Sequence, residues 1–180
     1  MPCAPPGPAA KPMPTESAHH RTRAPETAGP AAAAAAGPGG GHEASFTWPV
    51  RVFYEDTDAG GVVYYANYLR FFERCRSEWF RSLGFALSEL AKRDGVLFMV
   101  AGAQIEYLRP ARLDDLLHVD ARIAQRAASY VVFEQQARRG TTVLSRASVK
   151  VACVDANSLR PRRLPHAVAQ ALAASEPAER

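Results

Sequence analysis

Residues 54–85 read YEDTDAGGVVYYANYLRFFERCRSEWFRSLGF, and the fold turns on their second half. From Tyr65 onward, apolar or aromatic side chains recur at Tyr68, Leu69, Phe72, Cys75, Trp79 and Leu83, the three-or-four spacing of a helix face. Asn67, Arg70, Arg74, Ser77, Glu78 and Arg81 fill much of the opposite side, and Gly84 is a natural C-terminal stop. Phe71 and Phe80 widen the apolar surface, so the spacing predicts a helix covered on more than one side. The first half poses a different question. Glu55, Asp56 and Asp58 place three carboxylates within four positions, directly before Gly60-Gly61. One aspartate suffices to cap a helix and to favour the positive end of its dipole. Three exceed what capping needs.

Outward from this helix the pattern changes. A short second helix is expected near 87–93, and beyond it the period becomes two. Leu117, Val119, Ala121 and Ile123 alternate with His118, Asp120 and Arg122, which describes a strand with one buried face. Further strands are expected at 46–54, 98–108, 130–137 and 143–154. Gly140 supplies the turn between the last two, and Arg109-Pro110-Ala111 breaks the chain before the 117–123 strand. A strand, a helix and then a run of long strands predict an α+β fold with an antiparallel sheet wrapped around one long helix.

The 180 residues and a 47% hydrophobic content are enough for one ordinary domain. Residues 1–45 hold nine of the 14 prolines, six of the 12 glycines and the run Ala31 to Ala36, with almost no large apolar side chain. Such a segment cannot bury enough surface to offset its ordering entropy, so it is expected to be a disordered tail. The expected organisation is a tail over 1–45, a domain over 46–174 and a flexible C-terminus over 175–180. No basic residue in the tail is followed closely by a leucine-rich run, which argues against a secretory signal. Nothing later approaches the roughly 18 consecutive apolar residues of a membrane helix. The expected place is therefore the cytoplasm, with no integral membrane segment.

Cys3, Cys75 and Cys153 are odd in number and lack metal-ligand spacing, against a disulfide framework and a zinc site. Asp56 and Asp58 could together hold a cation, but the sequence after them does not continue as a calcium loop. No metal and no cofactor are expected. The tail carries three basic and three acidic residues, so the net charge of +4 falls wholly to the domain, with 19 basic against 15 acidic residues. That mild excess suits a phosphorylated ligand or an acidic partner. No basic helix or nucleic-acid motif is visible, so no nucleic-acid partner is expected. His19, His20 and His42 lie in the tail, while His118 and His166 stand apart, leaving no Ser–His–Asp or Cys–His arrangement.

The run RVFYEDTDAGGVVYYANYLRFFERCRSEWFRSLGF, followed by YLRPARLDDLLHV, resembles the acyl-CoA thioesterases of the 4-hydroxybenzoyl-CoA thioesterase family. Within it the likeness is to the bacterial YbgC-type branch associated with the Tol-Pal envelope system, and it spans about residues 48 to 165. The string D-x-D-x-x-G-x-V-x-Y-x-x-Y carries it. The resemblance implies the hotdog fold, a curved antiparallel sheet around a central helix, and a homodimer or homotetramer with sites at the dimer interface.

It also implies roles. Thioester hydrolysis needs a group that attacks the carbonyl or activates water, and donors for the developing oxyanion. The second aspartate of the string plays the first part in the family, and here it is Asp58. The backbone N–H of Tyr65 matches the oxyanion donor. Gly60 and Gly61 would let backbone approach the substrate, Asp56 would orient the loop by hydrogen bonds or meet the substrate, and Asn67 would either contact substrate or stand exposed in the first turn. Many relatives carry His where this chain has Tyr65, which argues against a histidine acid or base there but preserves the N–H. Arg109 and Arg112 flank a proline break, and Arg160, Arg162 and Arg163 cluster after the last strand. Guanidinium groups grip phosphate bidentately, so Arg109 and Arg162 are candidates for the coenzyme A phosphates.

The leading expectation is thus a thioester hydrolase acting on acyl-CoA, with acyl carrier protein thioesters as a variant substrate. The branch further implies peripheral contact with the inner membrane. A hotdog hydratase would resemble a histidine-plus-carboxylate chemistry that this chain lacks near its helix. A non-catalytic scaffold docking on cell-envelope or lipid-synthesis proteins is the remaining alternative.

Overall fold

The computed structural model describes residues 46–175. The tail expected over 1–45, with Cys3 and its three histidines, lies outside the described residues, as do 176–180.

Among the described residues, five strands and three α-helices follow in the order β1 (Phe46–Arg51), α1 (Asn67–Ser82), α2 (Leu87–Asp94), β2 (Val96–Tyr107), β3 (Leu116–Arg126), β4 (Tyr130–Arg139), β5 (Thr142–Asp155) and α3 (His166–Ala174). The strands form one antiparallel sheet in the order β1-β3-β4-β5-β2. The chain leaves β1 at one edge, crosses through α1 and α2, and returns as β2 at the opposite edge. This is the α+β hotdog architecture expected from the sequence. Gly140 has φ +58° at the tight β4–β5 turn, a left-handed conformation that glycine adopts without steric cost.

Helix α1 lies on the sheet face formed by Leu117, Val119, Ala121, Val131, Phe133, Ala147 and Val149. Phe71, Phe72 and Cys75 are completely buried, and Trp79 packs edge-on against Phe133 with ring centroids 5.8 Å apart. Truncating either phenylalanine to Ala would cost about 3–5 kcal/mol, the usual range for an aromatic core residue. The helical period is as expected, with two corrections to its faces, at Leu69 and Asn67, and one buried arginine that the face pattern did not assign. Leu69 is 40% exposed, whereas Asn67 and Arg76 are buried. Arg76 donates to Gln135 Oε1 at 2.6 Å, and Gln135 Nε2 donates to the Phe72 carbonyl at 3.0 Å. An amide with donor and acceptor therefore bridges the arginine and the helix backbone. Desolvation lowers the Arg76 pKa from its ordinary value.

Element boundaries also differ. β1 ends at Arg51, short of its expected end at 54, and residues 54–56, Glu55 among them, form a single 3-10 turn. β2 begins two residues before its predicted start and is kinked by a register shift between Val100 and Gly102. Helix α3 was not foreseen; of its residues only Val168 and Leu172 are buried. Among the described residues no helix is long and apolar enough to cross a membrane.

Strand β2 has one free edge and is exposed along most of its 12 residues. The sheet face away from α1 carries an open trough of about 430 Å³, walled by Gln104, Glu106, Arg122, Glu134, Arg146 and Ser148. None of the site residues expected from the sequence lines it.

Candidate active site

The segment between β1 and α1 folds back on itself. Thr57 and Val63 form an isolated antiparallel bridge, and inside it the Asp58 N–H donates to the Val62 carbonyl and the Gly61 N–H to the Asp58 carbonyl, each at 2.9 Å. The Gly60 N–H donates to Asp58 Oδ1 at 2.8 Å. Both glycines are required by this turn itself. A Cβ on Gly60 would stand 3.0 Å from Asp58 Oδ1, and Gly61 has φ +69°. The Asp58 carboxylate is thereby held on an exposed tip, with Oδ2 unpartnered among the described residues.

Asp56 behaves differently. It is buried, and its Oδ2 turns back to accept the Phe53 N–H at 2.9 Å. Its backbone carbonyl accepts the Tyr64 N–H at 2.9 Å and Asn67 Nδ2 at 3.0 Å. Asn67 is thus not an exposed first-turn residue, because its side chain is buried with its amide on the loop backbone. The two residues fasten the Asp58 turn to the start of α1.

Helix α1 begins without a side-chain cap. The Asn67 N–H returns to the Tyr64 carbonyl at 2.9 Å and the Leu69 N–H to the Ala66 carbonyl at 3.1 Å. The N–H groups of Tyr65 and Ala66 have no acceptor among the described residues. Two backbone donors at the positive end of a helix dipole, a few residues after a surface-held carboxylate turn, suit a developing oxyanion.

Aromatic side chains surround this turn. Tyr64 and Tyr65 lie 4.6 Å apart between ring centroids, and Tyr65 and Tyr68 each meet Tyr107 edge-on, at 6.3 Å and 5.7 Å. The Tyr64 phenol is held above the usual tyrosine range chiefly by its side-chain hydrogen bond to Tyr65, with the Asp58 charge a smaller contribution. Tyr107 was absent from the sequence-derived site, although a tyrosine closing a strand has a polar tip that needs a partner. Its hydroxyl donates to the Tyr65 carbonyl at 3.0 Å.

The 108–115 loop borders the same turn. The Val63 N–H donates to the Ala111 carbonyl at 2.9 Å, and the Ala111 N–H donates to the Tyr68 hydroxyl at 3.0 Å. Arg109 and Arg112 are exposed on this loop, and their guanidinium groups have no partner among the described residues. Arg162 stands elsewhere. Its Nη1 donates to the Gly95 carbonyl at 3.0 Å and to Asp155 Oδ2 at 3.2 Å, bracing the C-terminal cap of α2. The structure therefore brings together Asp56, Asp58, Gly60, Gly61, Tyr65, Asn67 and the loop of Arg109, and gives Arg162 a structural duty. Among the described residues no three His, Cys, Asp or Glu side chains gather as a metal set.

Comparison with known proteins shows the family of the chain. Residues 52–172 match the family model described as the thioesterase-like superfamily. The acyl-CoA thioesterase YbgC of Haemophilus influenzae is 47% identical over 123 residues, covering 68% of this chain and 90% of the relative. The acyl-CoA thioester hydrolase YbgC of Escherichia coli O6:H1 is 44% identical over 124 residues, covering 68% and 92%. Among solved structures, a probable thioesterase from Bartonella henselae superposes with a TM-score of 0.64 at 39% identity, covering 66% of this chain and 98% of its own.

Proposed function

The chain belongs to the thioesterase-like superfamily, among its YbgC-type acyl-CoA thioesterases, and from that premise we propose that Asp58 and the N–H groups at Tyr65 carry its chemistry. The protein hydrolyses acyl-CoA thioesters to a free acid and a thiol. The observation that carries the assignment is the pairing of a surface-held carboxylate with two unpartnered backbone donors across one short turn.

In this reading the thioester carbonyl lies against the Tyr65 and Ala66 N–H groups. Attack converts its oxygen to an alkoxide, and the fixed donors stabilise that charge more than they stabilised the ground-state carbonyl. Asp58 acts either as base, taking the proton of the attacking water, or as nucleophile, forming an anhydride that water then opens. Collapse expels the thiolate of coenzyme A, which takes up a proton. Label recovered in the Asp58 carboxylate after a single turnover in ¹⁸O-labelled water identifies the nucleophilic route, with water opening the anhydride at its aspartyl carbonyl.

The finer readings are proposals of the same kind. Arg109, with an unpartnered guanidinium beside the turn, is placed on the coenzyme A phosphates, with Arg112 as its neighbour. The exposed site and the free edge of β2 favour a homodimer, or a dimer of dimers, in which a second copy encloses the substrate. Acyl carrier protein thioesters are a variant substrate. The family resemblance supports a cytoplasmic place, with peripheral contact at the inner membrane through the Tol-Pal association.

A coupled thiol-release assay across acyl-CoA chain lengths, repeated with acyl carrier protein thioesters, tests the assignment. Thiol release that disappears in Asp58→Asn is the expected result. Release that persists at the wild-type rate in that variant would overturn it.

A further inference from the structure

We propose that Tyr107 is a positioning residue for the oxyanion-binding turn: its hydroxyl fixes and polarises the peptide after Tyr65, and so aims the N–H group of Ala66 beside that of Tyr65. The proposal rests on the reading of that turn as the oxyanion site.

The Tyr65 carbonyl stands at an unusual point in the chain. In a regular helix it would accept the Leu69 N–H, but that group turns to the Ala66 carbonyl instead, at 3.1 Å. The Tyr107 hydroxyl takes the vacant acceptor at 3.0 Å. The peptide plane before Tyr65 is held separately, because the Asn67 N–H donates to the Tyr64 carbonyl at 2.9 Å. Both planes flanking Tyr65 are thus fixed, one from within the helix start and the other by a side chain 42 positions away. The Tyr65 carbonyl and the Ala66 N–H belong to one peptide unit. A donor on the carbonyl strengthens the dipole of that unit and makes its N–H a better donor.

Tyr107 is suited to deliver this contact. It closes β2, and the backbone around it is anchored to β5. Ser145 Oγ donates to the Glu106 carbonyl at 2.9 Å, and the Leu108 and Arg109 N–H groups reach the Leu144 carbonyl at 2.8 Å and 3.0 Å. A hydroxyl carried by a paired strand is placed more sharply than one on a free loop. The phenol is held above the usual tyrosine range, first by desolvation and then by Tyr65, so it remains a donor at working pH. Ring and hydroxyl have separable duties, since the ring meets Tyr65 and Tyr68 edge-on whatever the hydroxyl does.

Tyr107→Phe removes the hydroxyl and keeps the ring. With saturating acyl-CoA, kcat is expected to fall roughly 10-fold, less than the 100-fold or more seen when an oxyanion donor is itself removed, while KM and the melting temperature stay near wild type. The second readout is spectroscopic. A hydrolysis-resistant acyl-CoA analogue, with methylene in place of the thioester sulfur, is bound to the wild type and to the variant, and its carbonyl stretch is recorded by infrared difference. The bound carbonyl should absorb at lower frequency than the free analogue in the wild type, and this shift should shrink in Tyr107→Phe. An unchanged kcat, an unchanged shift, or a loss confined to KM would overturn the proposal. Asp58→Asn serves as the control on the underlying reading, because it should abolish turnover yet keep the full shift. A wild-type protein that produces no shift at all would refute the oxyanion site itself, whereas a normal shift in both wild type and Tyr107→Phe refutes only the role of Tyr107.

Discussion

Asn67 Nδ2 donates to the backbone carbonyl of Asp56 at 3.0 Å, which ties the first residue of the central helix to the loop that presents Asp58. The tie divides the acidic cluster by duty. Asp56 is buried and serves the backbone, while Asp58 is exposed and keeps one oxygen free. The two carboxylates are two residues apart and have different consequences when changed.

Asp58→Asn keeps the size of the side chain and its acceptor for the Gly60 N–H, but removes the charge that attack or water activation requires. We expect kcat to fall by roughly 100-fold or more, the lower range for a positioned acid–base group, with folding and acyl-CoA binding retained. Steady-state kinetics with circular dichroism checks this, and near-wild-type turnover would return the carboxylate to a mere turn residue.

Asn67→Ala strips one of two donors from the Asp56 carbonyl at a buried position. Stability should drop by about 1–3 kcal/mol, the cost of disturbing a buried hydrogen-bonded group, and kcat should drop with it because the turn loses its anchor. Asp56→Asn, which can still accept the Phe53 N–H, should lose less activity than Asp58→Asn. Denaturant melts paired with kinetics on the three variants give the ranking.

Gln135→Leu should be among the most destabilising single changes in the sheet. It leaves the Arg76 guanidinium without its acceptor inside the core and removes the side-chain donor from the Phe72 carbonyl, which keeps its place in the helix ladder. About 3–5 kcal/mol is expected, as for a buried charge deprived of its partner. Adding Arg76→Met should recover a large part of that loss, and a double-mutant cycle measures the coupling. Additive losses would show that the pair is not a unit.

Alkaline pH should weaken the fold through Cys75. The thiol is buried in the core, donates to the Val119 carbonyl at 3.3 Å, and has its pKa pushed from 9.0 up to about 12 by desolvation. The unfolded thiol therefore loses its proton first. Stability from this group is complete below pH 9 and is lost as pH rises through that window, at up to about 1.4 kcal/mol per pH unit. Cys75→Ala should flatten the alkaline limb of a stability–pH curve, and native Cys75 should resist iodoacetamide at neutral pH.

Light scattering at micromolar concentration should report a dimer or a dimer of dimers. A 12-residue edge strand with an unpaired backbone is a poor terminus for a monomeric sheet. A stable monomer with full activity would show that one copy suffices for the site.

Much of this protein was legible in the chain. The three-or-four spacing from Tyr68 to Leu83 specifies a helix because side chains at that interval share one face, and the alternation from Leu117 to Ile123 specifies a strand for the same local reason. The D-x-D string and its resemblance put Asp58 and Tyr65 forward as the candidates for the site. What the sequence could not supply were partners brought together by the sheet. Period does not say that β2 pairs with β5 and lies at the edge, because strand order depends on which pairings bury the helix best. Residue type could not say that Asn67 and Arg76 are buried, because polar side chains go inside only where a distant acceptor awaits them, here the Asp56 carbonyl and Gln135. Nor could spacing join Tyr107 to Tyr65, since 42 residues separate them and only the return of the chain along β2 sets the hydroxyl against that carbonyl. Local periodicity is a property of neighbours in the chain, and hydrogen-bond satisfaction is a property of neighbours in space.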